Sequence, residues 1–320
     1  MADAAAFRAP KGATPSSEKV GRLVRAFYAR YPFPTYEPTD SPGVLAQKAQ
    51  AGVFASLLDR QIPYTARVLD AGCGTGQLPI FLSLPGRRTV GIDFSSPSLM
   101  EGRRFIRRFD LKDVDLVQMD LFALGLKERS FDYVISTGVL HHTADPYGAF
   151  QGLCRLLRSG GYILVGLYNR CARIPSIVRR RIFRYTGRRL EWLDYVLRHG
   201  RNEAKKHIWF MDQYANPHET VHTVDEVMRW FAANEIECVG VVPRLTPGAP
   251  LTPADRLFEP VPMGTRLGRL LGQFLWQFTI GREGGLFVMI GRRVARGGGL
   301  DVDGIQAALS VGTCGDERVP

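Results

Sequence analysis

Long apolar runs are missing from this chain. None reaches the roughly eighteen residues that a helix needs to cross a bilayer, and the nearest, 270–280, is broken by Gly272, Gln273 and Gln277. Cysteine is scarce: Cys73, Cys154, Cys171, Cys238 and Cys314 are odd in number and widely scattered. They form neither a disulfide framework nor a paired metal-ligand spacing, so no metal is expected, and a reducing compartment suits them best. The opening residues, MADAAAFRAPKGATPSS, lack the apolar core of a secretory signal. The expectation is a cytoplasmic protein, with attachment to a membrane surface left open. No internal repeat is present.

Acidic residues are thin in one region. Lys and Arg exceed Asp and Glu by eleven overall, and residues 170–206 hold twelve basic side chains against only Glu191, Asp194 and Glu203, so nine of the eleven positive charges sit there. Three readings of that segment stay open. It can be a solvated helix face. It can meet an anionic membrane surface through 173–189, because Ile174, Ile177, Val178, Ile182 and Phe183 interleave with arginines as in an interfacial helix. It can bind nucleic acid.

An apolar content of 45% is ordinary for a soluble globular protein. Residues 1–17 read as disordered and 296–320, with three successive glycines at 297–299, as a loose tail. Residues 18–60 read as a helical N-terminal cap, with Val20, Leu23, Val24 and Phe27 at helical spacing. Within it, the stretch Phe27 to Tyr36 alternates aromatics with Pro32 and Pro34, which end the helix and stiffen the chain. Packing of a leading helix and closure over a ligand suit this stretch equally. From Arg67 to Asn169 strand and helix patterns alternate, as in a parallel sheet covered by helices on both faces. The main domain is expected over 61–295, with 170–222 as a helical insertion after the fifth strand. Beyond it, Thr223 and Glu226 form a capping box ahead of the apolar face Val227, Trp230 and Phe231. Strands are expected at 238–242 and 285–291, separated by a helix at 266–278.

The densest signal is Val68-Leu69-Asp70-Ala71-Gly72-Cys73-Gly74-Thr75-Gly76-Gln77. A buried strand ends in an acid and opens into three alternating glycines, which permit positive φ and close approach of a ligand. A dinucleotide loop reads G-x-G-x-x-G and places backbone N–H groups on a pyrophosphate. Here the third glycine comes one residue early and a carboxylate precedes the first by two, which suits a ligand carrying an ammonium or hydroxyls. Asp93 ends a second strand 23 residues after Asp70, where a carboxylate can accept both hydroxyls of a ribose. Asp120 closes a third short strand, where a helix N-cap is the competing role. Thr137 closes a fourth, within Phe131-Asp132-Tyr133-Val134-Ile135-Ser136-Thr137-Gly138-Val139-Leu140-His141-His142. Ligands in such sheets sit at the carboxyl ends of the strands, and all four residues fall there.

Together with Leu156-Leu157-Arg158-Ser159-Gly160-Gly161 ahead of the fifth strand, these segments resemble the class I S-adenosylmethionine (SAM)-dependent methyltransferases, in the ubiquinone/menaquinone-type small-molecule branch. The resemblance covers about 66–169; Ser159 replaces the usual proline of its turn. It implies a Rossmann-like, doubly wound, mainly parallel seven-stranded sheet with SAM as cofactor. Gly72, Gly74 and Gly76 would then allow close backbone approach, Asp70 would orient the methionine end, and Asp93 would hold the ribose. Asp120 would meet the adenine amino group, with Leu121 packed on the ring and Thr137 at the rim.

Methyl transfer from a sulfonium needs alignment and, for some acceptors, removal of a proton. His141 and His142 are the candidate bases, each with turn packing as its bland alternative; His207, Asp212 and Tyr214 are rivals. The expected acceptor is a small or lipid-like molecule, methylated at O, N or C. Alternatives are an RNA or protein methyltransferase, a non-catalytic SAM-fold module, and an aminopropyl transferase. Nucleic acid is the weaker partner, because the turn after the fourth strand lacks the Asn/Asp-Pro-Pro-Tyr/Phe pattern and the chain has no Pro-Cys pair. The oligomeric state is left open.

Overall fold

The protein, seen in a computed structural model, is described over residues 17–200, 202–246 and 249–294. Residues 1–16, the expected tail 296–320, Arg201 and Cys314 lie outside the described residues. Three helices lead: α1 (Ser17–Arg30), α2 (Pro42–Gln50) and α3 (Val53–Gln61). Alternation follows through β1 (Arg67–Ala71), α4 (Gln77–Ser83), β2 (Arg88–Asp93), α5 (Ser96–Arg108), β3 (Val114–Gln118), β4 (Phe131–Thr137), α6 (Pro146–Leu156) and β5 (Leu157–Tyr168). Next come α7 (Ile174–Thr186), a 3₁₀ segment (Gly187–Leu193), α8 (Tyr195–His199), α9 (Glu203–Phe210) and a π-helical turn (Met211–Ala215). The chain closes with α10 (Val224–Ala232), β6 (Ile236–Val242), α11 (Arg266–Leu275) and β7 (Leu286–Arg293).

Local chemistry explains several of these starts. Ser95 accepts from the Ser98 N–H ahead of α5, and Asp145 accepts from Gly148 ahead of α6, each with a proline in the first turn where no amide hydrogen is needed. Thr223 and Glu226 form the reciprocal capping box on α10 that their spacing predicts.

The seven strands lie in the order β3-β2-β1-β4-β5-β7-β6. Only β7 runs against the rest, inserted between β5 and β6, so the Rossmann-like expectation holds. Alternation along the strands sorts side chains onto two faces. Leu69, Val134, Ile163 and Met289 pack with α6 and α10 on one side. Their neighbours Val68, Ile135, Leu164 and Ile290 pack with α3 and α4 on the other. The middles of β1, β2 and β4 are therefore mostly apolar, and Asp70, Asp93 and Thr137 stand at or beside their carboxyl ends. The third strand ends earlier than its sequence suggests, at Gln118. Asp120 lies in the following turn, where its Oδ1 accepts from the Phe122 N–H at 3.0 Å. No helix begins there, so the N-cap alternative for Asp120 is removed.

The insertion has a core of its own: Phe183, Leu197, Phe210, Met211 and Tyr214. Its charge is distributed differently from a solvated face. Arg173 is fully buried, donating to Glu219 (2.7 Å), Gln213 and the Gly284 carbonyl, with its guanidinium 3.7 Å above the centre of the Tyr168 ring. Arg179 is buried against Asp194 (3.1 Å) and the Gly281 carbonyl (2.9 Å). Arg188 pairs with Glu191 and Glu203. Part of what reads as a basic surface is thus internal bracing.

Candidate cofactor and acceptor site

The carboxyl ends of β1, β2 and β4 open into one cavity of about 1140 Å³. Ligand pockets commonly enclose about 300–1,000 Å³, so this one has room for two molecules side by side. Asp70, Gly72, Gly74, Asp93, Asp120, Leu121, Thr137 and His142 all line it.

At the first end lies the glycine turn. Gly72 and Gly74 have φ of +83° and +56°, a region that a Cβ disfavours. Space is as tight as the backbone: a Cβ on Gly74 would stand 2.3 Å from the Phe33 carbonyl oxygen. The close neighbour is thus the chain's own aromatic-proline segment. Thr75 Oγ1 donates to the Pro34 carbonyl (2.7 Å), Gln77 to the Thr35 carbonyl (3.1 Å), and Tyr36 OH to the Thr75 carbonyl (3.0 Å). The stretch 33–36 is pinned over the glycine turn. Gly76 departs from the expectation. It does not line the cavity; it stands at the N-cap of α4 with φ +80°, where a Cβ would strike the Leu116 side chain.

Asp70 is buried, and among the described residues no hydrogen bond or ion pair reaches its carboxyl. Burial, reinforced by the nearby Asp93, pushes its pKa up to about 7. A buried, partnerless carboxyl facing a cavity fits a ligand ammonium and repels a phosphate. Asp93 is held rigidly: Oδ2 accepts from Gly74 N–H (2.9 Å) and Oδ1 from Ser95 N–H (2.7 Å). Burial raises its pKa, and these two amides oppose the rise. Each carboxylate oxygen keeps a second lone pair for a ligand hydroxyl. Asp120 is half-exposed and is met by Arg25 of α1 at 3.4 Å; the Arg25 guanidinium also lies 5.7 Å from the centre of the Phe94 ring. The first helix therefore roofs this end. The residues present fit SAM: a carboxyl for its ammonium, a fixed carboxylate for its ribose, and Leu121, Phe94 and Asp120 for its base.

The far end is built by α1 and the insertion. Tyr28 donates to Asp212 (3.0 Å) and accepts from Asn216 (3.0 Å). Gln213 donates to both Asp212 (2.9 Å) and the Tyr168 hydroxyl (3.0 Å). The Trp209 Nε1–H is buried with no hydrogen-bond partner among the described residues, and Trp209 lines the cavity. His142 lines it too, its ring 6.0 Å from that of Tyr28, and its Nδ1 lies 2.8 Å from the His218 carbonyl oxygen. That contact places the proton on Nδ1 and leaves Nε2 as a lone-pair acceptor. Burial lowers the His142 pKa, so the ring is neutral near pH 7.

His141 is a correction. It does not line the cavity but is fully buried beneath Tyr168, ring centres 3.9 Å apart. Burial and the neighbouring His142 and Arg173 drive its pKa well below 6.5. Of the rivals, only Asp212 reaches the cavity. Tyr214 is spent on Asp194 inside the insertion core, and His207 packs on Tyr31. Tyr28, Tyr168, Trp209 and Gln213 went unrecognised in sequence. The aromatic-proline stretch 27–36 and the rival candidates His207, Asp212 and Tyr214 marked the places without saying which side chains point inward.

Known proteins resemble this chain in sequence over the strands that carry the site. Residues 69–165 match the family model described as "Methyltransferase domain". The chain is 25% identical over 256 residues to an uncharacterized Synechococcus protein, covering 70% of this chain and 60% of that one. It is 32% identical over 108 residues to a ubiquinone biosynthesis O-methyltransferase of Paracidovorax citrulli, covering 33% of this chain and 45% of that one. It is 31% identical over 99 residues to a demethylmenaquinone methyltransferase of Listeria welshimeri, covering 30% and 42%. The chain spans less than two thirds of the length of these curated relatives. Residues 69–165 thus resemble the methyltransferase domain of class I SAM-dependent enzymes of the quinone type, a family whose cofactor is SAM.

Proposed function

We propose that the protein methylates a small or lipid-like acceptor held between α1 and the insertion. When bound, SAM supplies a methyl group on a sulfonium whose charge makes the thioether a ready leaving group. The chain's own residues then have separable tasks. Asp70, ionised, pairs with the ligand ammonium; Asp93 accepts the two ribose hydroxyls; Asp120 and Leu121 hold the base; Gly72 and Gly74 let the turn lie close.

His142 is the proton acceptor in this reading. Its Nε2 lone pair is free, and its lowered pKa keeps it neutral at pH 7. Tyr28, Asp212 and Trp209 offer donors and acceptors that orient a polar group, while Phe33 and Tyr168 supply apolar walls beside them. This mixture suits a ring-bearing acceptor with an ionisable O–H or N–H. Two of the relatives named above, a ubiquinone biosynthesis O-methyltransferase and a demethylmenaquinone methyltransferase, carry names that point to the same kind of acceptor. The observation that carries the reading is the convergence of Asp70, Asp93 and Asp120 on one cavity with space for a second ligand beyond them.

Two hydrogen bonds to a carboxylate are worth about 1.5–3 kcal/mol each, so Asp93→Ala should weaken SAM binding at least about tenfold. Calorimetric titration reads it, and unchanged affinity removes the ribose assignment. Incubating cell extract with methyl-labelled SAM and the protein, then separating lipid, small-molecule, protein and RNA pools, tests the acceptor class. Label confined to RNA or protein overturns it.

A further inference from the structure

Two surfaces of this protein are apolar and face solvent without any described partner. The first is α11. Leu267, Leu270, Leu271 and Phe274, followed by Phe278 in the next turn, are all exposed, Leu267 at 77%. Their spacing of three and four residues makes one continuous stripe along the helix. The opposite side is anchored: Gln273 is buried and bonded to Asn169 and to the Val224 amide, and Trp276 packs on Phe287. The stripe therefore faces outward because the other side is fully used. The second surface runs along α7 and α8, where Ile174, Val178, Tyr185, Trp192 and Tyr195 are exposed, Tyr185 at 88%. Between them stand the exposed Arg181, Arg184, Arg189 and Arg198, and no ion pair among the described residues reaches these four. The nearby acids are spoken for, Glu191 by Arg188 and Asp194 by Arg179. The turn that follows α11 is tied to α7 by the hydrogen bond from Arg179 to the Gly281 carbonyl, and it also packs on α8, so the helices that carry the two surfaces are neighbours.

We propose that these faces together dock the protein on an anionic lipid bilayer. Leucines and phenylalanines at α11 enter the boundary between headgroups and acyl chains, tyrosines and tryptophan lie at headgroup level, and the four unpaired arginines meet lipid phosphates. A second copy of the chain is the poorer occupant: a two-fold contact apposes the same patch on both subunits and brings these arginines against their own kind. A nucleic acid would use the arginines but leave the α11 stripe in water. The proposal widens the expectation of membrane contact over 173–189 to include α11, and it stands apart from the cofactor site, whose residues it does not use.

Sedimentation of the full-length protein with lipid vesicles tests it. Binding to phosphatidylcholine vesicles containing about a third phosphatidylglycerol should exceed binding to phosphatidylcholine alone by at least about tenfold, and salt should release it. The triple variant Leu267→Ser/Leu271→Ser/Phe274→Ser should lose at least about tenfold in partitioning, with melting temperature and SAM affinity unchanged because these side chains contact solvent. Arg181→Gln/Arg184→Gln should lose less on anionic vesicles and nothing on neutral ones. No binding by the natural sequence, or full binding by the triple variant, overturns the proposal. So does a dimer, seen by light scattering, that the triple variant dissolves.

Discussion

Residues 67–169 and 170–222 make opposite use of charge. In the first, acids stand at strand ends with apolar strands behind them, and Asp70, Asp93 and Asp120 converge on one cavity. In the second, arginines are spread along helices, and the helical repeat divides them. Arg173 and Arg179 turn inward with Ser176 and Phe183, while Arg181 and Arg184 turn outward. A strand that ends at a sheet edge fixes where its last side chain lies. A run of arginines on a helix gives no such address, because neighbours one or two apart face opposite ways. Formal charge in the insertion therefore overstates its surface charge.

The sharpest way to break that comparison is to remove an inward arginine. Arg173→Leu strips the buried Glu219 of its closest cation and leaves Gln213 and the Gly284 carbonyl short of a donor. Breaking a buried pair from one side costs about 3 kcal/mol or more, read as a lower midpoint in denaturant. A loss within about 0.5 kcal/mol, as for an ordinary surface substitution, would mean the guanidinium contributes no bracing. The next largest effect tests the first region. Gly74→Ala puts a methyl where the Phe33 carbonyl stands, at a positive φ. The strain should cost about 2 kcal/mol and lift the 33–36 stretch, read as faster hydrogen exchange there and weaker SAM binding. Unchanged exchange would mean the segment is not held by that contact.

The difference between the regions also explains what the sequence made legible. The strand–helix alternation and the strand ends that line the cavity could be read because glycine spacing, strand-end acids and apolar alternation are local signals with a fixed spatial meaning. Gly76 shows the limit even there: its motif position is regular, yet its task is helix capping against Leu116. His141 and His142 show another limit. Two adjacent identical residues leave a 3₁₀ turn in different directions, one under Tyr168 and one into the cavity, and only the turn geometry separates them. Tyr28 and Asp212 are 184 residues apart and bond to each other in the cavity wall. That pairing depends on how the insertion folds over α1, which no local spacing encodes.

A smaller effect sharpens the reading of the acids. The Asp70 pKa is raised to about 7 in the folded protein, against 3.8 as a free carboxyl. The acid form is therefore the one the empty fold favours, and the empty protein loses stability as pH rises from about 4 to about 7. In the proposed role Asp70 pairs with the SAM ammonium as the ionised form, so binding would expel a proton below that pKa. Affinity should fall by about tenfold for each pH unit below about 7 and level off above it. Asp70→Asn should flatten this profile as well as lower it. Calorimetry in buffers of different protonation enthalpy would show the released proton, and a flat profile with the natural residue would place the ammonium elsewhere.

The smallest expected effect completes the contrast within α7. Arg181 and Arg173 are eight residues apart on the same segment, and both are arginines. Arg181 is exposed, and no ion pair among the described residues reaches it, so Arg181→Gln removes a hydrated charge and little packing. Its like-charged neighbour Arg184 is relieved at the same time. Stability should change by less than about 0.5 kcal/mol, with a gain as acceptable as a loss. The ratio of the two substitutions carries the information. If Arg181→Gln costs as much as Arg173→Leu, the helix is not divided into an inner and an outer face, and the outward arginines are not free to meet lipid phosphates.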